Sequence, residues 1–111
     1  MKVREIRQGD VVVFELIGRL TEGRETDQLA ERINLLVDEG LKKLVFDLSK
    51  VYWIDSSGLG LLIRAYTRIQ RGEGDLKLAN LTRSVESLLQ MTKLSTVFGV
   101  YDTVDDAVAS F

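Results

Sequence analysis

The sequence predicts an α/β fold, a largely parallel mixed sheet with an antiparallel N-terminal edge strand and packed helices. Three observations carry that expectation. Short runs rich in β-branched residues alternate with stretches of helical spacing from Val11 onward, so each new strand is reached through a helix, and such crossovers build parallel sheets. The first two runs are separated only by Gln8-Gly9-Asp10, too short for a crossover, which makes them an antiparallel hairpin with one outer edge. A chain of 111 residues is of a size for which one core suffices, so residues 1–111 are expected to form a single domain with no linker.

Val3 to Arg7 is the weaker strand of the hairpin and Val11 to Ile17, apolar except for Glu15, the buried one. Gly18-Arg19-Leu20 reads as the turn that follows. Leu29, Ile33, Leu36 and Val37 fall on one amphipathic stripe, giving a helix that begins between Thr21 and Thr26 and ends near Gly40. Lys43 to Leu48 is a second buried strand. From Leu59, the residues Leu62, Ile63, Tyr66 and Ile69 keep helical spacing until Gly72 and Gly74 break it. Leu76 to Leu81 is another strand, followed by a short helix with Thr82 as N-cap and Val85, Leu88 and Leu89 inward. Val97 to Tyr101 is the last strand. Thr103-Val104-Asp105-Asp106 has capping-box spacing, and Ala107, Val108 and Phe111 give the closing helix its apolar side.

Composition narrows the function. Hydrophobic residues make up 45% of the chain and charged residues 29%, the balance of a soluble globular protein rather than of a disordered segment. With 15 basic and 17 acidic residues the net charge is -2, so no direct nucleic-acid partner is expected. Cysteine and histidine are absent, which excludes disulfides, thiolate metal sites, cysteine nucleophiles and Ser-His-Asp hydrolysis. No cofactor, no metal and no enzymatic activity are expected. Neither a signal-like run nor a stretch of membrane-spanning length occurs, so the expectation is a cytoplasmic protein without membrane insertion.

One segment does not read as filler: Val51-Tyr52-Trp53-Ile54-Asp55-Ser56-Ser57-Gly58-Leu59-Gly60. It lies between a strand end and a helix start, where open α/β sheets place their sites. The unpaired amides and positive dipole end of such a helix suit an anion. Asp55, Ser56 or Ser57 can cap those amides, and Gly58 and Gly60 remove side-chain bulk so that another surface can approach. A helix start with redundant caps explains the same residues. Gly58-Leu59-Gly60 lacks the third glycine of a dinucleotide fingerprint, Ile63 standing in its place, and no Gly-Lys-Ser/Thr makes a P-loop. A nucleophile elbow would need glycine at Ile54 or Asp55.

Asp55-Ser56-Ser57-Gly58-Leu59-Gly60 resembles the phosphorylation motif of the STAS-domain anti-sigma factor antagonists, and the likeness extends over the order of elements and Gly18-Arg19-Leu20. The resemblance implies that Ser56, directly after the aspartate, is phosphorylated by an anti-sigma factor that is itself a serine kinase. The unmodified protein then binds that kinase and frees a sigma factor, phosphorylation releases the kinase, and a serine phosphatase resets the cycle. Asp55 becomes the acidic neighbour and Ser57 helps shape the site. Many members carry aspartate where this chain has Thr21. The expected partner surface comprises Thr21, Trp53, Asp55, Ser57, Gly58, Leu59 and Gly60. A phosphate adds about -1.5 to -2 charges, which a helix start tolerates and a matched interface does not. A loss of about 2–4 kcal/mol weakens binding roughly 30- to 1000-fold. The alternatives are a STAS scaffold or accessory subunit of a signalling or transport complex that is not phosphorylated, and a small nucleotide- or ligand-binding domain using Ser57 to Leu59.

Four further groups have two readings. Tyr52 and Trp53 pack at the sheet rim or contact a partner. Arg64, Arg68 and Arg71 form a solvated helix face or a basic stripe facing a partner. Met91, with Leu94 and Phe98, is expected in the core. Asp105 and Asp106 are helix-start residues rather than acid/base catalysts.

Overall fold

A computed structural model describes residues 1–111. Strands β1 (Lys2–Gln8), β2 (Val11–Leu20), β3 (Lys43–Ile54), β4 (Asp75–Ala79) and β5 (Gly99–Tyr101) alternate with helices α1 (Arg24–Asp38), α2 (Ser56–Arg71), α3 (Arg83–Met91) and α4 (Val104–Ala109). A single 3₁₀ turn, Leu94–Thr96, precedes β5. The strands lie in the order β1-β2-β3-β4-β5. The hairpin pair β1 and β2 is antiparallel and the other pairs are parallel, as the alternation of strands and helices requires.

Alternation along the strands separates two cores. Val12, Phe14 and Leu16 of β2, Leu44, Phe46 and Leu48 of β3, and Leu76 and Leu78 of β4 form one face. Against it pack Leu29, Ile33, Leu36 and Val37 of α1, Leu61, Leu62 and Ile69 of α2, and Val85 and Leu89 of α3. The opposite face is smaller: Val11, Val13, Val45 and Ala79 meet Ala107 of α4, with Val104, Val108 and Phe111 alongside. No helix is long and apolar enough to cross a membrane.

Several boundaries differ from the sequence expectation. β3 does not stop at Leu48 but continues to Ile54, and β2 reaches Leu20, so Gly18-Arg19-Leu20 is strand rather than turn. Register shifts between Glu15 and Ile17 and between Gly18 and Arg19 let the two strands keep pairing past the point where β2's apolar run ends. β5 begins only at Gly99, and β4 ends at Ala79 because Asn80 turns into the left-handed region at φ 57. Thr82 stands at the N-cap of α3 without capping it. Its hydroxyl instead donates to the Val51 carbonyl at 2.8 Å, a partner that the extension of β3 supplies. Met91 is 80% exposed rather than in the core, because α3 turns Val85 and Leu89 inward and Met91 falls off that stripe; Phe98 is buried and Leu94 partly so.

Candidate functional site

The long ends of β2 and β3 run side by side, with Arg19 opposite Trp53 and Leu20 opposite Ile54. Asp55 follows as the N-cap of α2, in extended conformation, and its amide donates to the Leu20 carbonyl at 3.4 Å. One carboxylate oxygen, Oδ1, accepts from the Gly58 amide at 2.9 Å, satisfying a donor that the helix leaves unpaired. The other, Oδ2, accepts from the Thr21 hydroxyl at 2.6 Å. Thr21 is braced in turn, its carbonyl accepting from the buried Thr26 hydroxyl of α1 at 2.5 Å. Asp55 thus joins the end of β2 and the starts of α1 and α2.

This arrangement favours the ionised carboxylate. The Thr21 hydroxyl, then the Gly58 amide, hold the Asp55 carboxyl below its ordinary value against a smaller opposing effect of desolvation. Since the folded value is depressed, the ionised group stabilises the fold above the unfolded carboxylate range. That contribution is lost as pH falls through the folded value.

The residues singled out in the sequence divide into inward and outward sets. Ser56 and Ser57 are exposed on the first turn of α2, which carries no acidic side chain. Leu59 is buried in the main core. Gly58 is buried too, and a Cβ there would stand 2.0 Å from the Leu20 carbonyl oxygen. The space made by Gly58 is therefore filled by the chain's own β2 backbone, not by an approaching surface. Gly60 differs, since a Cβ there meets nothing within 4 Å.

The aromatic pair does not pack away at the rim. Tyr52 is 66% exposed and Trp53 39% exposed. The Arg19 guanidinium lies 4.5 Å from the Trp53 ring centroid, a cation–π contact across the β2–β3 pair. Among the arginines of α2, Arg68 is tied to Asn34 and Asp38 of α1, whereas Arg64 and Arg71 are exposed. Asp105 and Asp106 occupy the first turn of α4, where the Thr103 hydroxyl accepts from the Asp106 amide at 3.0 Å. The sequence reading missed the Thr21–Asp55 bond, the Thr26 brace and the Arg19–Trp53 stack. No local signal marks them, since Thr21 and Asp55 are 34 positions apart.

None of the four surface concavities is lined by any residue from 55 to 60. The start of α2 is consequently open surface rather than the wall of a concavity. No three carboxylates converge as a metal cage.

A family model described as the STAS domain matches residues 3–107. An anti-sigma F factor antagonist of Paenibacillus polymyxa is 26% identical over 98 residues, covering 84% of this chain and 83% of that protein. Among solved structures, an anti-sigma factor antagonist from Mycobacterium paratuberculosis superposes with a TM-score of 0.82 at 24% identity, covering 98% of this chain and 92% of that one. The Bacillus cell fate determinant SpoIIAA, solved in its phosphorylated form, superposes with a TM-score of 0.80 at 19% identity over 98% of both chains.

Proposed function

The chain belongs to the STAS domain family, and from that premise we propose that it is a cytoplasmic anti-sigma factor antagonist switched by phosphorylation of Ser56. Unmodified, it binds an anti-sigma factor serine kinase and so frees a sigma factor for transcription. Phosphorylated, it releases the kinase, and a serine phosphatase restores it. It performs no chemistry of its own.

The observation that carries the reading is the first turn of α2. Two exposed hydroxyls, Ser56 and Ser57, stand there with no acidic residue in the turn, and the neighbouring carboxylate of Asp55 is engaged with the Thr21 hydroxyl and the Gly58 amide. A phosphate on Ser56 meets the positive end of a helix and leaves the fold intact, while a partner matched to a hydroxyl meets about two new negative charges. The relative from Paenibacillus polymyxa carries the antagonist function in its name, and the Bacillus neighbour is known in a phosphorylated form; both support the proposal. Around Ser56, the exposed Ser57 and Trp53 and the half-buried Gly60 are the surface that the partner covers, with Thr21, Asp55, Gly58 and Leu59 shaping it from beneath.

A second reading, a scaffold subunit bound irrespective of phosphorylation, draws on Thr21. Where the family resemblance leads one to expect aspartate, this chain places a neutral hydroxyl that is already engaged with Asp55. Quantitative capture with Ser56→Ala and Ser56→Asp proteins, both first shown folded by circular dichroism, separates the two. Retention of an ATPase-type anti-sigma factor by the alanine protein and its loss by the aspartate protein is the expected result. Equal retention of one partner by both establishes the scaffold instead.

A further inference from the structure

A groove of about 320 Å³ runs between α1 and α2, away from Ser56. Its base is apolar, with Ile33 and Leu61 buried beneath it and Ala30 and Ala65 keeping its walls low. Arg68 is committed to holding the two helices together, its guanidinium donating to Asn34 Oδ1 at 3.1 Å and to Asp38 Oδ1 at 2.5 Å. Arg64 and Arg71 border the same groove and are exposed. Neither makes an ion pair with any carboxylate of the chain. Ile63, 40% exposed, lies beside Arg64. An apolar trough with unneutralised cations on its rim is a local feature, since the chain as a whole carries a net charge of -2.

We infer that this groove docks an acidic amphipathic helix of a protein partner. Arg64 and Arg71 are two turns apart on α2, about 10.5 Å along its axis. A helix lying along the groove meets them with carboxylates at i and i+7 and sets the apolar residues between those positions against the alanine walls, with Ile63 at the Arg64 end of the contact. The small side chains of Ala30 and Ala65 allow the close approach that helix packing needs. A second copy of this chain does not fit in the same way. Two-fold pairing of this face on itself sets arginine against arginine. The groove makes no use of Ser56, so the inference does not rest on the phosphorylation switch.

The test uses the intact protein, isotopically labelled, and two synthetic helices of about four turns. They share one leucine stripe; one carries glutamate at i and i+7 and the other lysine. The expected result is that only the glutamate peptide binds, with amide shift changes confined to Ala30, Ile33, Asn34, Ile63, Arg64, Thr67 and Arg71. The double substitution Arg64→Glu with Arg71→Glu, shown folded by circular dichroism, weakens that peptide about 10-fold or more and gains the lysine peptide. No shift changes at millimolar peptide, changes elsewhere, or equal affinity in the double variant each overturn the inference. Concentration-dependent changes at these residues without peptide assign the groove to a second copy and overturn it as well.

Discussion

At the start of α2 the Asp55 carboxylate accepts from the Gly58 amide at 2.9 Å, and at the start of α4 the Thr103 hydroxyl accepts from the Asp106 amide at 3.0 Å. The capping chemistry is the same, an oxygen three residues before an orphan amide. The surroundings are not. The first turn of α4 carries Asp105 and Asp106, which already answer the helix dipole, and the only outside side chain bonded there is Gln8, reaching Asp105 at 3.2 Å. The first turn of α2 carries no acid, its cap is gripped by Thr21, and its backbone is pressed onto β2 at Gly58. A cap decides where a helix begins; contacts from distant parts of the chain decide whether that beginning is rigid, and its charge decides what it can receive.

The contrast is broken most severely at Gly58. Replacing it by alanine drives a Cβ to 2.0 Å from the Leu20 carbonyl oxygen, and we expect a loss of about 3 kcal/mol in urea unfolding, well beyond the helical preference of alanine. Unchanged stability would show that α2 does not press on β2. Thr103→Ala removes a cap with little behind it, so its cost should stay near 1 kcal/mol, with the melting transition lowered and the native spectrum around α2 unmoved. Gly60→Ala goes the other way. A Cβ there meets nothing within 4 Å, and thermal unfolding should report a gain of about 0.5–1 kcal/mol.

Thr21→Val sharpens the comparison with the smallest global effect. It removes the largest influence lowering the Asp55 carboxyl, so the folded value rises toward the unfolded one. In a side-chain NMR titration Asp55 then titrates at higher pH than in the native protein. The advantage that native folding gains from ionised Asp55, present above the carboxylate range and lost on acidification, shrinks accordingly. An Asp55 titration identical in both proteins would refute the role given to Thr21.

Much of this architecture is written in local pattern. The stripe Leu29, Ile33, Leu36 and Val37 places α1, and Thr103 to Asp106 places the start of α4, because each depends only on neighbours within two helical turns. The motif at Asp55 is equally local as a cap. What local pattern does not reveal depends on pairing. The register shifts in β2 carry β3 on to Ile54, and that extension alone gives the Thr82 hydroxyl the Val51 carbonyl to bond, overriding its propensity to cap α3. Met91 is hydrophobic in type but one step off the buried stripe of α3. The inward role of Gly58 and the grip of Thr21 on Asp55 belong to the same class, since both need β2 to arrive beside α2.

The strand order β1-β2-β3-β4-β5 repeats the order of the chain. No strand has to be inserted between two that are already paired, and each finds its neighbour in the segment made just before it. During synthesis the hairpin of β1 and β2 can form first and offer one open edge, to which β3, β4 and β5 add in turn as they emerge. Each parallel pairing nonetheless joins distant residues, Val11 with Lys43 and Lys43 with Asp75, so the crossovers rather than the hairpin set the pace of folding. The Asp55 brace draws only on residues between Leu20 and Gly58, so it takes no bond from β4 or β5 and depends on no strand added after β3.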